Sequence, residues 1–271
     1  MTQVALPSLR VKTIALGQGA DSRVLPEETP VAIVYNGTTQ AVMMATPADL
    51  VDFAVGFSLS EHIVTTAADL GQIDIMEHAD GIEAQIWLPE HLESALSHRR
   101  RAMTGPVGCG LCGIDSLAEA LRPIAPLPMS SLTLTAQDCT LALDELRDWQ
   151  PLHDETRAVH AAGFYIPGRG IVMAREDVGR HNALDKLIGA MARAGLDGAT
   201  GAVTLTSRVS VEMVQKCAVA GSPILIAVSS PTAHAVRLAT GANITVVSLA
   251  RAAAHVFSHP FRIAEAPQHV A

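Results

Sequence analysis

The second half of the chain alternates helical and strand-forming segments, and this alternation constrains the fold more than any other feature. Apolar runs predict strands at residues 159–165, 171–174, 202–206, 224–228 and 244–249. Helical patterns precede or separate them at 136–149, 179–194, 210–220 and 232–239. Short connections between such segments favour a sheet covered by helices on its faces. The sequence therefore predicts a layered α/β unit in which ligands bind at the carboxyl ends of strands, beside helix N-termini.

The first half indicates a smaller α+β unit. A strand is predicted near residues 11–16, and Asn36-Gly37 between two apolar runs predicts a β-hairpin. Thr46-Pro47 predicts a helix start, with Thr46 as N-cap and Pro47 at the first helical position. The apolar face of this helix comprises Leu50, Phe53, Ala54 and Phe57.

Alternation at residues 82–88 predicts a half-buried strand that completes this unit. Three prolines at residues 123–128 cannot continue a helix and favour a linker. We therefore predict two domains, 1–125 and 126–271, with a cysteine-containing loop and a short helix at the end of the first.

Net charge and apolar patterning exclude several classes of protein. The 271 residues carry a net charge of −8, which argues against nucleic-acid binding by bulk charge. No apolar run reaches the length of a membrane span, and the first ten residues contain no signal-peptide core. Four unevenly spaced cysteines do not form a disulfide framework. We expect a soluble protein of the reducing cytoplasm.

Two cysteines stand in a glycine-rich stretch, residues 104–113, and are candidates for chemistry. Cys109 and Cys112 are flanked by glycines and Pro106, which disfavour a regular helix or strand and place the thiols on an accessible loop. A short helix at 116–121 would direct its positive end toward them and favour the reactive thiolate. One alternative is that the two cysteines form half of a structural zinc site, but the sequence has no second close pair of ligands to complete it. Another is a thioredoxin-like redox motif, but that motif needs a helix to begin inside it, and Gly110 and Gly113 disfavour such a start.

Three strand ends of the second half are rich in polar residues. They are residues 175–182, 206–210 and 229–232, and they include Arg180, His181, Arg208 and Ser229. Arginines and small hydroxyls at helix starts suit a phosphate or an anionic cofactor; the alternative is helix capping with surface ion pairs. Walker-type and Gly-x-Gly-x-x-Gly loops are absent from the sequence. His160, in a predicted strand, suits either a core position or the site.

These residues resemble those of the formate dehydrogenase accessory sulfurtransferase family. The segments that carry the resemblance are Gly108-Cys109-Gly110-Leu111-Cys112-Gly113, the block at 175–189 (REDVGRHNALDKLIG), Ser207-Arg208 with Val214-Gln215-Lys216, Ala220-Gly221-Ser222-Pro223, Val228-Ser229-Ser230-Pro231 and residues 257–263. The sequence departs from the family pattern at Arg157-Ala158, where two glycines are usual. It departs again at residues 255–259, where the family usually has Asn-Val-Tyr-Thr-His.

The resemblance implies a cytidine-deaminase-like three-layer α/β/α fold for the second domain, and a role as sulfurtransferase. A cysteine desulfurase would load a persulfide on Cys109, with Cys112 as the assisting thiol. The sulfur would pass to the molybdenum or tungsten of bis-molybdopterin guanine dinucleotide, bound as a substrate, before its insertion into formate dehydrogenase. No permanently bound metal is expected, since deaminase zinc chemistry needs a later Pro-Cys-x-x-Cys that the chain lacks. The family also suggests a homodimer.

The resemblance also implies that the C-terminal segment binds the guanine dinucleotide of the cofactor, through Ala254, His255, Val256, Phe257, Ser258 and His259. Because this cofactor is large and anionic, it suits the strand-end residues Arg180, His181, Arg208 and Ser229, which we predict as further cofactor-binding residues. Two other functions stay open at this point. A non-enzymatic chaperone would bind the cofactor without sulfur turnover, and a redox protein would cycle a Cys109–Cys112 disulfide.

Overall fold

A computed structural model of the chain describes residues 5–93, 124–249 and 253–264. The strands are β1 (Ser8–Ala15), β2 (Gly19–Pro26), β3 (Thr29–Tyr35), β4 (Thr38–Ala45), β5 (Ile73–His78), β6 (Gly81–Ile86), β7 (His160–Ile166), β8 (Gly170–Asp177), β9 (Ala202–Leu205), β10 (Ile224–Ala227), β11 (Thr245–Ser248) and β12 (His255–Val256). The helices are α1 (Leu50–Ser60), α2 (Ala136–Arg147), α3 (Pro151–Thr156), α4 (Arg180–Ala194), α5 (Val211–Val219) and α6 (Ala233–Gly241), with 3₁₀ turns at Ala67–Asp69, Gly198–Thr200 and Pro260–Arg262.

The second half forms a six-stranded mixed sheet with the order β12-β11-β10-β9-β7-β8. Strands β9, β10 and β11 are parallel, and β7 is antiparallel to both of its neighbours. Helix α2 buries Leu143 and Leu146 in an apolar cluster on one face, and α4 buries Leu187 in another cluster that includes Phe164 of β7. The predicted layered α/β arrangement is confirmed. The more specific prediction, that the second domain has a cytidine-deaminase-like fold, stays a prediction.

The first half forms a four-stranded sheet, β4-β3-β6-β5, that packs on α1. The predicted hairpin is confirmed, with Asn36 at φ 47° and Gly37 at φ 75° in its turn. Both residues are in the left-handed region that two-residue hairpin turns require. Ile82 and Ile86 are buried in β6, as alternation predicted.

Helix α1 begins later than predicted. Its first residue is Leu50, and Asp49 precedes it at φ 54°, so Thr46 is not the N-cap and Pro47 does not occupy the first helical position. The backbone N–H of Thr46 donates instead to Asp177, and its hydroxyl accepts from the N–H of Val178. Contact with the second half of the chain overrides the local capping signal. The predicted apolar face, from Leu50 to Phe57, is buried.

The N-terminal segment contains two strands where one was predicted. Strands β1 and β2 pair antiparallel from Ser8↔Pro26 to Ala15↔Gly19, and form a separate two-stranded sheet. Helix α3 was not predicted either, because six residues give no helical period to detect. Arg157 ends α3 at φ 57°, in the left-handed region that glycine adopts more readily than arginine.

The two halves share one apolar core. Helices α1 and α4 cross so closely that a Cβ on Gly56 would lie 1.7 Å from the carbonyl oxygen of Asp185. A Cβ on Gly189 would likewise lie 1.9 Å from the carbonyl oxygen of Asp52. The apolar cluster of α1 and β3 is continuous with that of α4 and β9. The domain boundary at residue 125 stays a prediction. Among the described residues, no helix has the length and apolar composition that crossing a membrane requires.

Candidate functional site

The candidate site lies at one edge of the six-stranded sheet. Strands β8, β9, β10 and β11 end at this edge, because β8 runs parallel to β9. Strands β7 and β12 begin there, with His160 opposite Asp177 and His255 opposite Ser248. The connections that leave this edge carry Arg180, His181, Arg208 and Ser229. The structure therefore brings together the polar strand ends that the sequence predicted as a site.

Arg180 is the first residue of α4 and is half-buried. Its Nε atom is shielded from solvent and has no hydrogen-bond partner among the described residues. A buried donor without an acceptor is costly, typically by about 1–3 kcal/mol. The guanidinium therefore favours an anion at this edge. Arg208 follows β9 and is exposed to solvent.

His181 and Glu212 are hydrogen-bonded to each other at the same edge. Nε2 of His181 lies 2.8 Å from Oε2 of Glu212, and the Ser210 hydroxyl donates to the same carboxylate oxygen at 3.2 Å. The hydrogen bond from His181 lowers the pKa of Glu212 below its ordinary value, and the charge of Arg180 contributes. Glu212 was not among the predicted site residues; its position at the start of α5, just after Arg208, was the available signal.

His160 lies at the start of β7 on this edge. Burial lowers the pKa of His160 below 6.5, and the positive charge of Arg180 lowers it further. Its Nδ1 lies 3.5 Å from the hydroxyl oxygen of Thr206. His160 is thus a neutral, half-buried imidazole beside the candidate anion-binding arginine, and the structure favours the site position over the core position.

In the part of the chain that the structure describes, two helix N-termini at this edge have no side-chain cap. Gly179, which has no side chain, precedes α4, and the side chain of Ser210, which precedes α5, accepts no hydrogen bond from the first turn. Helix α6 differs, since the hydroxyl of Thr232 accepts from Ala235 N. Uncapped N-termini present backbone donors and positive potential to a ligand. Together with Arg180, they make this edge suitable for phosphate groups.

Most of the polar side chains in the 175–189 block have a structural role instead. Asp177 and Lys186 pair at 2.7 Å in full burial, and Lys186 also donates to the carbonyl oxygen of Thr46. The side-chain amide of Asn182 donates to the carbonyl oxygen of Met44. These bonds join the two halves of the chain.

The remaining charges of the block behave similarly. Nη2 of Arg175 lies 2.7 Å from the carboxylate of Asp52 in α1. The two carboxylate oxygens of Glu176 accept hydrogen bonds from the backbone N–H groups of Leu152 and His153, at the start of α3. Our interpretation of the whole polar segment 175–182 as a binding site was therefore too broad. Within it, Arg180 and His181 are the residues that lie at the candidate site.

The C-terminal segment is divided between the two edges of the sheet. Ala254 and His255 are exposed and lie at the edge of Arg180, since β12 begins there. Because β12 runs antiparallel to β11, the chain then moves away: Val256 pairs with Val247, and Phe257 packs partly against the main core.

The last two predicted residues of this segment lie at the opposite edge. The Ser258 hydroxyl is buried, accepts from Val246 N and donates to the carbonyl oxygen of Ile244. His259 Nε2 lies 2.9 Å from the carbonyl oxygen of Thr240, near the end of α6. The structure does not bring Ser258 and His259 together with Arg180 and His181.

Cys109 and Cys112 lie outside the described residues, and their roles stay predictions. The other two cysteines are buried and lie in separate helices, Cys139 in α2 and Cys217 in α5. Burial raises the pKa of each of these thiols to about 12. Within the described ranges, no group of three His, Cys, Asp or Glu side chains is arranged to hold a metal ion.

Comparison with known proteins places the chain in a family. Residues 26–264 match the model of the FdhD/NarQ family. A protein named sulfur carrier protein FdhD from Agrobacterium fabrum is 50% identical over 249 residues, which is 92% of this chain and 90% of that protein. A protein of the same name from Brucella abortus is 54% identical over 245 residues, 90% of this chain and 91% of that protein.

A solved structure gives the same assignment. The crystal structure of a putative formate dehydrogenase accessory protein from Desulfotalea psychrophila superposes with a TM-score of 0.71 at 26% identity, covering 94% of this chain and 98% of that one. The resemblance stated from the sequence motifs is thereby confirmed. The chain belongs to the FdhD/NarQ family.

Proposed function

We propose that this protein is a sulfur carrier for the assembly of formate dehydrogenase. It takes sulfane sulfur from a cysteine desulfurase as a persulfide on Cys109 and delivers it to bis-molybdopterin guanine dinucleotide of molybdenum or tungsten, which is then inserted into formate dehydrogenase. The names of its relatives from Agrobacterium fabrum and Brucella abortus support the sulfur-carrier role. The name of the Desulfotalea psychrophila protein supports the link to formate dehydrogenase.

The observation that carries the proposal is the positive, incompletely satisfied edge of the sheet. The cofactor is large and bears several phosphates. Arg180 offers a shielded Nε that has no acceptor among the described residues, and within the same residues α4 and α5 have N-termini without a side-chain cap. Arg208, Ser229 and His255 surround the same edge. These donors suit phosphate oxygens, and charge-assisted hydrogen bonds of this kind are typically worth about 1.5–3 kcal/mol each.

The sulfur chemistry proceeds in two balanced steps. The thiolate of Cys109 attacks the terminal sulfur of the desulfurase persulfide; a new S–S bond forms on Cys109, and the desulfurase cysteine leaves as its thiolate. The thiolate of Cys112 can then attack the inner sulfur of the Cys109 persulfide, which forms a Cys109–Cys112 disulfide and releases sulfide for the metal. The sulfane sulfur gains two electrons and the two thiols lose them, so a thiol reductant must restore the pair before the next cycle.

Intact-mass spectrometry tests the sulfur transfer. The protein is incubated with a cysteine desulfurase and cysteine, with and without a reductant. We expect a reductant-labile gain of one sulfur atom, about 32 Da, on the peptide that contains Cys109. This gain is lost in Cys109→Ala and kept in Cys112→Ala. Loading of Cys109→Ala but not of Cys112→Ala would reverse the two roles.

The same measurement separates the rival functions. No mass gain, with tight cofactor binding and titratable thiols, would indicate a cofactor chaperone. No gain together with one bound zinc per chain would indicate a structural metal site at the two cysteines. A reversible Cys109–Cys112 disulfide without sulfane sulfur would indicate a redox protein.

Guanosine diphosphate is a practical probe of the anion site. We expect Arg180→Ala to weaken its binding at least about tenfold in calorimetric titration, as the loss of one charge-assisted hydrogen bond predicts. Arg169→Ala is the matched control, because Arg169 is exposed in the β7–β8 turn at the opposite edge. Equal affinities of wild type, Arg180→Ala and Arg208→Ala would exclude this edge as the binding site.

A further inference from the structure

The ring of His181 is held by a residue of the neighbouring helix. His181 is the second residue of α4, and Glu212 is the second residue of α5. Nε2 of His181 lies 2.8 Å from Oε2 of Glu212, and the hydroxyl of Ser210 donates to the same oxygen at 3.2 Å. The two side chains are only 26% and 25% exposed. This contact between two helix starts fixes the orientation of the imidazole at the edge where Arg180 lies.

Glu212 also determines which ring nitrogen of His181 gains or loses a proton. The hydrogen bond from His181 lowers the pKa of Glu212, so the carboxylate is ionised near neutral pH and accepts that bond. Nε2 therefore keeps its hydrogen, whether the ring is neutral or positively charged. The proton that distinguishes the two forms is on Nδ1, which has no hydrogen-bond partner among the described residues. Nδ1 is thus the atom through which His181 can donate to a ligand.

The net charge of this pair changes with that one proton. With a neutral imidazole, His181 and Glu212 together carry a single negative charge, and with an imidazolium they carry none. The charge of Arg180 acts on Glu212, so the pair is close enough to influence a phosphate bound at this arginine. The negative form of the pair repels a phosphate. The neutral form does not, and its Nδ1–H is an additional donor.

Glu212 is the acid at this edge whose charge is balanced by a histidine. Asp177, at the end of β8, pairs with Lys186 in full burial. Glu176 accepts from two backbone N–H groups at the start of α3. These two carboxylates are therefore bound within the fold, whereas the balance of charge at Glu212 depends on the protonation of His181.

A second histidine lies at the same edge. His160 of β7 is affected by the charges of Arg180, His153, His181 and Asp177. A phosphate bound at Arg180 therefore favours a proton on His160 as well. The contribution of His181 has to be separated from that of His160 by substitution.

We propose that Glu212 is a positioning residue that couples phosphate binding at Arg180 to the uptake of a proton by Nδ1 of His181. This inference rests on the proposed function, in which an anionic cofactor binds at this edge. The proton comes from solvent, and no covalent bond between heavy atoms changes. Because the protonated pair has no net charge and one more donor, the affinity for a phosphate ligand falls as the pH rises. A purely structural hydrogen bond between α4 and α5 would instead contribute stability without a coupled proton.

Calorimetric titration with guanosine diphosphate mannose tests the coupling. This ligand contains a diphosphate diester, and it lacks a terminal phosphate monoester, whose own pKa of about 6 would alter the pH dependence. We expect the Kd of the wild type to rise at least about fivefold between about pH 6 and pH 8.5. Titration in buffers of different ionisation enthalpy should show that binding takes up protons.

Glu212→Gln removes the charge but keeps an oxygen that can accept from Nε2, and it is compared in the His160→Gln background. The chain with both changes should take up less than half as many protons as His160→Gln, and its Kd should change less than about twofold over the same pH range. Asp144→Asn is the matched control, because Asp144 is an exposed acid of α2 that pairs with Arg147. It should leave the pH dependence unchanged. Ring-nitrogen NMR should show that Nδ1 of His181 gains a proton when the ligand binds.

The outcomes separate this coupling from the binding site itself. An equal pH dependence of His160→Gln with and without Glu212→Gln overturns the coupling, and a loss of thermal stability alone then assigns Glu212 a structural role. If Arg180→Ala still weakens binding in that case, the proposed anion site is unaffected. Equal binding by the wild type and Arg180→Ala, or no binding at any pH, rejects the anion site and this inference with it.

Discussion

The ammonium group of Lys186 lies 2.7 Å from Oδ2 of Asp177, and both side chains are fully buried where the two halves of the chain meet. The same carboxylate oxygen accepts from the backbone N–H of Thr46, and Lys186 donates to the carbonyl oxygen of Thr46. Each charge thus has its partner and further hydrogen bonds, which a buried ion pair needs to offset its desolvation. This pair fixes the position of β4 on α4, at the base of the candidate site.

Lys186→Met should destabilise the protein strongly, because it leaves Asp177 buried and uncompensated. We expect the free energy of unfolding to fall by about 3–5 kcal/mol, measured by urea unfolding. Arg147→Met is the control: Arg147 pairs with Asp144 at 3.5 Å, but both side chains are exposed, and its loss should change stability by less than about 1 kcal/mol. A small effect of Lys186→Met would mean that the two halves are held mainly by apolar contacts.

Gly56→Ala should prevent the close crossing of α1 and α4. Its Cβ would lie 1.7 Å from the carbonyl oxygen of Asp185, and backbone must move to relieve this contact. We expect a loss of about 3 kcal/mol or more in unfolding free energy.

Gly241→Ala is the matched change in α6, where a Cβ meets nothing within 4 Å. Alanine there should be neutral or should stabilise by up to about 1 kcal/mol. Equal effects at Gly56 and Gly241 would show that the helix crossing is not as close as described.

The cysteines should divide into two reactive and two unreactive thiols. Burial raises the pKa of Cys139 and Cys217 to about 12, so only about 10⁻⁴ of each is thiolate at pH 8, and neither is accessible. Brief iodoacetamide treatment followed by peptide mapping should label Cys109 and Cys112, while urea-unfolded protein should label all four cysteines. Rapid native labelling of Cys217 would contradict its buried position in α5.

His160 should make stability depend on pH, with the loss beginning as the pH falls through its unperturbed pKa of about 6.5. Burial and the charge of Arg180 lower its pKa below 6.5, so the folded state binds fewer protons than the unfolded state. The stability contributed by neutral His160 is therefore complete above the unfolded pKa and is lost as the pH falls through the folded pKa.

Urea unfolding at several pH values checks this dependence. His160→Gln should reduce the loss of stability on acidification relative to the wild type, whereas His234→Gln, at an exposed position of α6, should not. Parallel curves for the wild type and His160→Gln would mean that His160 titrates as it does in the unfolded chain.

Anion binding should reduce this shift, since a bound phosphate offsets the charge of Arg180, the second cause of the lowered pKa of His160 after burial. The two-dimensional NMR signals of the His160 ring should then show a higher pKa in the presence of guanosine diphosphate. No change would place the nucleotide away from Arg180.

Local patterns in the sequence were sufficient for much of the fold. The turn at Asn36-Gly37 was predictable because two-residue hairpins need left-handed backbone, which these residues adopt at little cost. The apolar face from Leu50 to Phe57 was predictable because helical periodicity needs only neighbouring residues. Alternation of helices and strands likewise indicated a layered sheet, and the order of its strand ends located Arg180 and Arg208 at one edge.

Long-range contacts decided the rest. Thr46 has the local pattern of an N-cap, yet its backbone and hydroxyl bond to residues 177 and 178, which are more than 130 positions away. Asp177 and Asn182 have the polar character of ligand-binding residues, yet they join the two halves. Ser258 and His259 follow Ala254 closely in the chain, but the antiparallel course of β12 carries them to the opposite edge of the sheet.

The sequence by itself determined the family, most of the helices and strands of the second half, and the polar character of the strand ends, because each depends on neighbouring residues and local periodicity. Only the tertiary structure decided which polar side chains lie at the candidate site and which bury an ion pair. A buried charge is stable only where a distant residue supplies its partner, and no local pattern specifies that partner.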